Sequence, residues 1–485
     1  MFINKYIIKY EKMSAPVKAA FWYTICNVLN KGVALLSTPI FTRILTEEQY
    51  GTFAIFQSWY SILIIFTSLN IFLAGYKKGL LLYKDDIAGF TSSQLGLTAA
   101  LTVGFFVIYL MSPNFWRNVF GLNPSLMVAM FIELFTMPAL ELWMAKEQFE
   151  YKYKKTVAVS VLLSVFCIGI AVVAVMYNSH KLEARVYSDV IVKATIAGSI
   201  MFLIYSHGKK FYKKEYWKFS LNFNIPLIPH YLSNYVLSQS DRLMIGKMVG
   251  TAEAAFYSVA YSIATMMILV TSAVNNALTP YIYKSINENN TKKIKKNMTP
   301  IMLFIAILSI ISMAFAPEII LVFAGRKYLD AVYVIPPVSA SVYFIFVYSM
   351  YSTIEYYYQK TKHIAIATSL SASLNLLLNY CGIKLFGYIA AGYTTLICYV
   401  ILALIHYVLT KKIIENNLSE TSELYDSHII FLIGIGLILI MILMTMTYKL
   451  YVIRYAIIVA ALSGIYLTRG FLIDVLLRTH NDSNE

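Results

Sequence analysis

NIPLIPHYLSNYVLSQSDRLMIGKMVG, residues Asn224–Gly250, is long and apolar enough to cross a bilayer, yet it carries Asp241, Arg242 and Lys247. A crossing needs about 20 predominantly apolar residues. Asp241 lies sixteen residues past Ile225, about 24 Å along a helix and towards the far side of the hydrocarbon. A charge there costs about 2.5–3.5 kcal/mol on insertion scales, so it faces protein interior or a watery cavity rather than lipid. Tyr231, Asn234, Ser238 and Asp241 are spaced three, four and three apart, which places them on one helical face. The stretch reads as one wall of a polar cavity inside a membrane protein.

Composition agrees. The chain has 485 residues, 59% hydrophobic and 13% charged, with a mean hydropathy of +0.65. A soluble domain carries about 25% charged residues, so most of this chain belongs in lipid. The net charge of +15 does not signal nucleic acid, because the basic residues cluster in short loops between apolar runs, as the positive-inside rule expects. Cys26, Cys167, Cys381 and Cys398 all fall inside apolar runs without paired ligand spacing. They indicate neither a disulfide framework nor a metal site. The first apolar run is long and lacks a clear cleavage site, so it reads as a retained anchor rather than a secretory signal.

Apolar windows predict fourteen spanning helices, at residues 19–41, 53–74, 91–111, 125–145, 156–177, 187–206, 225–249, 254–283, 298–323, 331–358, 364–382, 388–409, 429–447 and 455–476. With the N-terminus inside, the inner loops hold 26 of the 40 Lys and Arg and the outer loops 9. That bias places both termini in the cytoplasm. The expected organisation is a cytoplasmic N-terminus (1–18), a six-helix bundle (19–206), a cytoplasmic linker (207–224), a second six-helix bundle (225–409), a second linker (410–428), a helix pair (429–476) and a cytoplasmic tail (477–485). The fold class is therefore all-α and integral to the membrane.

A repeat links the halves. Helix one carries Asn30-Lys31 where helix seven carries Asp241-Arg242, and each helix then runs to a short turn, LTEEQYGTF (Leu45–Phe53) or VGTAEAAFY (Val249–Tyr257). Six helices repeated in one orientation imply two bundles related about the membrane normal, with a site between them. At TRILTEEQYGTF (Thr42–Phe53) and SDRLMIGKMVGTAEAAFYSVAYSI (Ser240–Ile263) the chain resembles the polysaccharide-exporter branch of the multidrug/oligosaccharidyl-lipid/polysaccharide (MOP) superfamily, and within it the Wzx-type flippases of O-antigen and related glycans. The resemblance implies carriage of an undecaprenyl-diphosphate-linked oligosaccharide from the inner to the outer leaflet of a bacterial inner membrane by alternating access. It further implies that the first two helices of each half line the cavity and that the final helix pair serves the isoprenoid tail. A glycan polymerase and a chain-length regulator are the partners such a role brings, beside the membrane lipids; no cofactor is expected beyond a coupling sodium ion or proton.

Lys31, twelve residues past Ala19, lies too deep to snorkel with ease. Its helix carries a polar stripe that includes Asn27 and Asn30. Lys31 and Arg242 read as cavity cations that attract a diphosphate or an acidic sugar; the bland alternatives are a structural ion pair for Lys31 and a pair with Asp241 for Arg242. Asn234, Ser238 and Tyr231 complete the polar lining. Glu133, Glu141 and Glu355 read either as sites for a coupling ion, a role also open to Asp241, or as partners of Lys31 and Lys193. His230 and His406 read as packed side chains. No Gly-rich phosphate loop, H-E-x-x-H motif or outer domain supplies a catalytic constellation. A cation-coupled drug exporter of the same superfamily is the main competitor, and it would favour carboxylates in its cavity. A membrane glycan polymerase or acyltransferase ranks lower, since a polymerase would bring a large outer loop.

Overall fold

The structure is a computed structural model that describes residues 14–288, 291–417, 424–460 and 463, and among these it contains helices and no strand. Contacts divide the chain into two compact units: Met1–Tyr235 with Gly250–Ala255, and Val236–Val249 with Phe256–Glu485. Ten helices among the described residues are long and apolar enough to span a membrane. An eleventh counts if Arg326–Tyr333 and Ile335–Tyr357, bent by 53°, form one span. Sequence windows gave fourteen. The difference lies in two helices that are long but polar, Ala15–Ile44 and Ile228–Met248, and in the window 455–476, most of which falls outside the described residues. Residues 1–13, 418–423 and the tail 477–485 also fall outside them.

The first unit contains α1 (Ala15–Ile44), α2 (Glu47–Ser68), α3 (Gly75–Leu82), α4 (Ile87–Met111), α5 (Pro113–Phe120), α6 (Pro124–Phe149), α7 (Tyr153–Tyr177), α8 (Lys181–Gly208) and α9 (Lys214–Asn224). The first part of α10 (Ile228–Met248) and the opening of α11 (Thr251–Asn287) belong to it as well. α8 is the hub, packed on α4, α6 and α7, while α1 packs on α7. The start of α2 is written into TEEQ. Thr46 Oγ1 accepts from Gln49 N at 3.2 Å, and Gln49 Oε1 accepts from Thr46 N at 3.1 Å. This reciprocal cap satisfies two otherwise orphaned donors, and Glu47 and Glu48 in the first turn complement the helix dipole. Two residues later Gly51 meets the Thr251 backbone so closely that a Cβ would overlap its carbonyl. The two turns that the repeat singled out therefore touch within one unit.

The stretch 207–224, expected only as a linker, is largely a folded element. Trp217 Nε1 donates to Ser93 O at 2.9 Å, Gln94 Nε2 donates to Tyr216 O at 3.3 Å, and Ser220 Oγ donates to Gln94 Oε1. Lys210 Nζ and Tyr216 Oη both donate to Asp86 Oδ2, at 2.6 and 2.7 Å. These bonds fasten α9 to α4, with Tyr216 in the apolar core beside Phe90 and Leu140.

The second unit holds most of α10 and α11, then α12 (Thr291–Ala314), α13 (Ala316–Phe323), α14 (Ile335–Tyr357), α15 (Thr361–Phe386), α16 (Ala390–Asn417), α17 (Ser427–Thr447) and α18 (Tyr451–Ala460). The window 298–323 breaks between α12 and α13 at Phe315, two residues before Pro317, which cannot continue the preceding ladder. α17 is part of the second unit's core. It packs on α12 and α14, buries Leu437, Met441 and Met444 in the same apolar cluster as Tyr343 and Met350, and accepts a 3.0 Å bond at Ile430 O from Tyr343 Oη.

Gly51→Val forces α2 off the Thr251 backbone, and overpacking of this kind costs about 1–3 kcal/mol. The variant should melt at a lower temperature in detergent. Gly104→Ala, whose Cβ meets nothing within 4 Å, should melt at or above the wild-type temperature. Equal losses in both would contradict the close approach at Gly51.

Candidate functional site

In the first unit, Asn30 is the hinge of α1 onto α7: its Nδ2 donates to Ser160 Oγ at 2.6 Å, and its Oδ1 accepts from Ser164 Oγ at 3.0 Å. That bond pattern takes Asn30 into a helix seam. Asn27 and Lys31 stay exposed within the unit. Lys31 forms no ion pair or hydrogen bond with any described residue, although it lies sixteen residues into a 30-residue helix, about 24 Å along it.

The acids of this unit are placed differently. Lys193 Nζ on α8 lies 2.7 Å from Glu133 Oε1 and 2.8 Å from Asp189 Oδ2, and Arg185 Nη1 lies 3.5 Å from Asp189 Oδ1. Two acids and two bases form a neutral buried chain, and the Arg185 guanidinium is sandwiched at 4.3 Å from both the Phe41 and Phe53 rings. Of the two partners considered for Glu133, the structure selects Lys193. Glu141, two turns further along α6, is half-buried and has no hydrogen-bond partner among the described residues.

In the second unit, Asp241 and Arg242 turn away from each other and form no ion pair. Arg242 Nη1 donates to Ser238 O at 2.8 Å and to Gln239 Oε1 at 2.7 Å, with the guanidinium 4.6 Å from the centre of the Tyr261 ring. Asp241 is fully buried. Its carboxylate accepts from Asn379 Nδ2 at 2.5 Å, from Thr395 Oγ1 at 3.0 Å and from Tyr257 Oη. Asn379 Nδ2 also donates to Asn375 Oδ1 at 3.0 Å, and Ser240 Oγ donates to the same oxygen at 3.1 Å. The result is one carboxylate ringed by neutral donors from α11, α15 and α16. The expected polar stripe is accordingly split. Asn234 is exposed, Tyr231 and Ser238 are half-buried, and Asp241 faces the unit's interior. At about 100° per residue, the ten residues from Tyr231 to Asp241 fall roughly 80° short of three turns, which puts Asp241 at the stripe's edge beside buried Leu237.

Glu355 on α14 pairs with His406 on α16, Nδ1 to Oε1 at 2.7 Å, with both side chains fully buried. Thr410 Oγ1 adds a 3.4 Å bond to the same oxygen, and the Tyr348 ring stacks on the imidazole. Sequence reasoning missed His406 as a partner, and it missed Asn375, Asn379 and Thr395. Their only signal was amides at an i, i+4 spacing inside the apolar run of α15. Among the described residues no group of three or more His, Cys, Asp and Glu could hold a metal ion.

Residues 17–286 match the sequence model of a family described as polysaccharide biosynthesis protein, and residues 226–381 match that of MatE. An uncharacterized membrane protein of Haemophilus influenzae is 22% identical over 376 residues, which cover 74% of this chain and 88% of the relative. Among solved structures, the lipid II flippase MurJ in an inward closed conformation aligns with a TM-score of 0.70 at 12% identity, over 93% of this chain and 99% of that one. An inward-facing multidrug resistance MATE family transporter of the MOP superfamily aligns with a TM-score of 0.63 at 13% identity, over 81% and 96%. At such identities the likeness establishes the fold alone: a multi-pass, all-α membrane architecture.

The Glu133–Lys193 pair generates a stability test. Lys193→Ala leaves a buried carboxylate without its cation, a loss of about 3–5 kcal/mol. Lys193→Met combined with Glu133→Gln removes both charges and should recover most of that loss. Thermal unfolding of the single and double variants in detergent checks the coupling; additive effects would contradict it.

Proposed function

The chain belongs to the polysaccharide biosynthesis protein family of the MOP superfamily, and on that premise we propose that it is a flippase for lipid-linked glycans. The substrate on this reading is an undecaprenyl-diphosphate-linked repeat unit of O-antigen, capsule or a similar polymer. It passes from the inner to the outer leaflet of the bacterial cytoplasmic membrane by alternating access, without covalent chemistry. The cation bias of the loops puts both termini in the cytoplasm. A glycan polymerase and a chain-length regulator would receive the product.

One observation carries the reading: Lys31 and Arg242, unlike Lys193 and Arg185, lack acidic partners among the described residues. Lys31 is exposed and unpaired among the described residues, and Arg242 rests on a ring, an amide and a carbonyl. The deep acids Glu133, Asp241 and Glu355, by contrast, are all engaged. A diphosphate crossing hydrocarbon needs a polar, cationic route, and a guanidinium or ammonium held in place supplies charge-assisted bonds to it. Support for a lipid tail comes from the second unit. A narrow groove between α14, α16 and α17 is lined by Phe344, Val347, Leu404, Phe431 and Ile435 and presents almost no polar surface. Asp241, a carboxylate dissolved in neutral donors, is the group we assign to the coupling sodium ion or proton. A specific observation keeps a second reading alive: Glu141 is half-buried and unpartnered among the described residues, as a cation-coupled exporter of cationic small molecules would need.

Lys31→Ala and Arg242→Ala should each cut surface glycan per unit of inserted protein by about tenfold or more, the size of one lost charge-assisted bond. Lys31→Arg should retain part of the export. Asp241→Asn should abolish export at normal protein levels. Normal export by both alanine variants would overturn the cationic route.

A further inference from the structure

At one end of the first unit, where α6 runs into α7 and α8 finishes, lies a cavity of about 350 Å³. Its walls include Trp143, Lys146 and Glu147 from the last turns of α6, Lys155 from the first turn of α7, and Leu203 and His207 from the end of α8. None of its lining residues lies on α1 or α10, and the flippase reading uses none of them.

Its charges are unsatisfied. Glu147 is only 8% exposed, and its Oε2 is buried without a hydrogen-bond partner. Neither Lys146 nor Lys155 forms an ion pair with a described residue, although both line the same cavity as the carboxylate. A buried carboxylate needs a cation or a donor, and two ammonium groups need an anion. His207 is held by its Nδ1 against Leu203 O at 2.8 Å, which fixes the ring at the rim. Leu203 is 54% exposed, and its neighbour Phe202 is 72% exposed. The cavity therefore opens beside the apolar outer surface of α8, where acyl chains lie. Basic pockets between spanning helices at a membrane face take phospholipid headgroups.

We propose that this cavity is a lipid site for the headgroup of phosphatidylethanolamine. Its phosphate lies on Lys146 and Lys155, its primary ammonium on Glu147, and its acyl chains run out past Leu203. This headgroup carries an anion and a hydrogen-bonding cation two carbons apart, which matches the two kinds of unpaired group in one cavity, and unlike phosphatidylserine it brings no second carboxylate to face Glu147. Phosphatidylglycerol would satisfy the lysines but offer Glu147 only neutral hydroxyl donors in place of a cation. By bridging α6, α7 and α8, the lipid closes the seam around the hub helix.

Native mass spectrometry of the detergent-solubilised full chain, with phosphatidylethanolamine or phosphatidylglycerol added, tests the site. Wild type should retain one phosphatidylethanolamine with a preference of about tenfold over phosphatidylglycerol, the worth of one charge-assisted hydrogen bond. Glu147→Gln should erase the preference and leave phosphatidylglycerol retention as it was. Lys146→Ala with Lys155→Ala should release both lipids. Free phosphoethanolamine should compete with the bound lipid, separating headgroup recognition from adhesion of acyl chains. A second reading needs no variant: phosphatidylethanolamine should raise the melting temperature of wild type more than phosphatidylglycerol does. Equal retention and equal stabilisation of wild type by the two lipids, or an undiminished preference in Glu147→Gln, would overturn the proposal.

Discussion

A charge in hydrocarbon costs about 2.5–3.5 kcal/mol even on the most lenient scales, and the interior of both units is arranged around that cost. Glu133 and Asp189 share Lys193, with Arg185 closing the chain between two phenylalanine rings. Glu355 has His406. Asp241 has no cation and is held instead by a tyrosine, an asparagine and a threonine. These pairings fix how α6 meets α8 and how α14 meets α16. They also set Lys31 apart: beside Glu133, Asp189 and Glu355, each with a charged or ionisable partner, a lysine midway along α1 with no partner among the described residues is open to an anion from outside the protein.

Much of the fold was legible because lipid imposes simple rules. Apolar run lengths located most spans, but the window 53–74 starts six residues late, because the turn stretch LTEEQYGTF holds a capping box that opens α2 at Glu47. Glu133 and Lys193 were both visible as deep charges, although 60 residues apart. What stayed hidden depended on tertiary partners. Nothing local in α15 says that Asn379 meets a carboxylate 138 residues earlier in the chain, with Asn375 bracing it, since an amide in an apolar helix reads the same whether it faces lipid, a cavity or a neighbour. Helical spacing placed Asp241 with Tyr231 and Ser238, yet the mismatch between 3.6 residues per turn and a three-four-three pattern turns it inward. His406 read as packing, and it is packed, but onto an acid.

The distribution of polarity also separates the two kinds of helix. α1 and α10 are the long helices that fail a simple apolarity test, and they carry Lys31 and Arg242. Elements with strongly apolar windows, such as α7 and α17, present lipid-facing surfaces with Phe166, Ile170, Leu432 and Leu439 exposed. A transporter for a molecule with a charged, hydrated head and a long apolar tail needs both kinds. In the proposed flippase, each polar helix offers its cation to the diphosphate and sugars, while the apolar groove beside α17 offers the tail an environment no worse than the bilayer.

The central claim is that the cationic helices serve an anionic lipid head. The most direct test reconstitutes the purified protein in liposomes with a fluorescently labelled undecaprenyl-diphosphate oligosaccharide and follows loss of signal when a membrane-impermeant quencher is added. The account predicts protein-dependent exposure of the labelled diphosphate lipid, slowed by raised ionic strength where the route is wet, and little movement of the same glycan on an uncharged lipid. Absence of diphosphate-lipid movement, together with gradient-driven uptake of organic cations by the same liposomes, would contradict it.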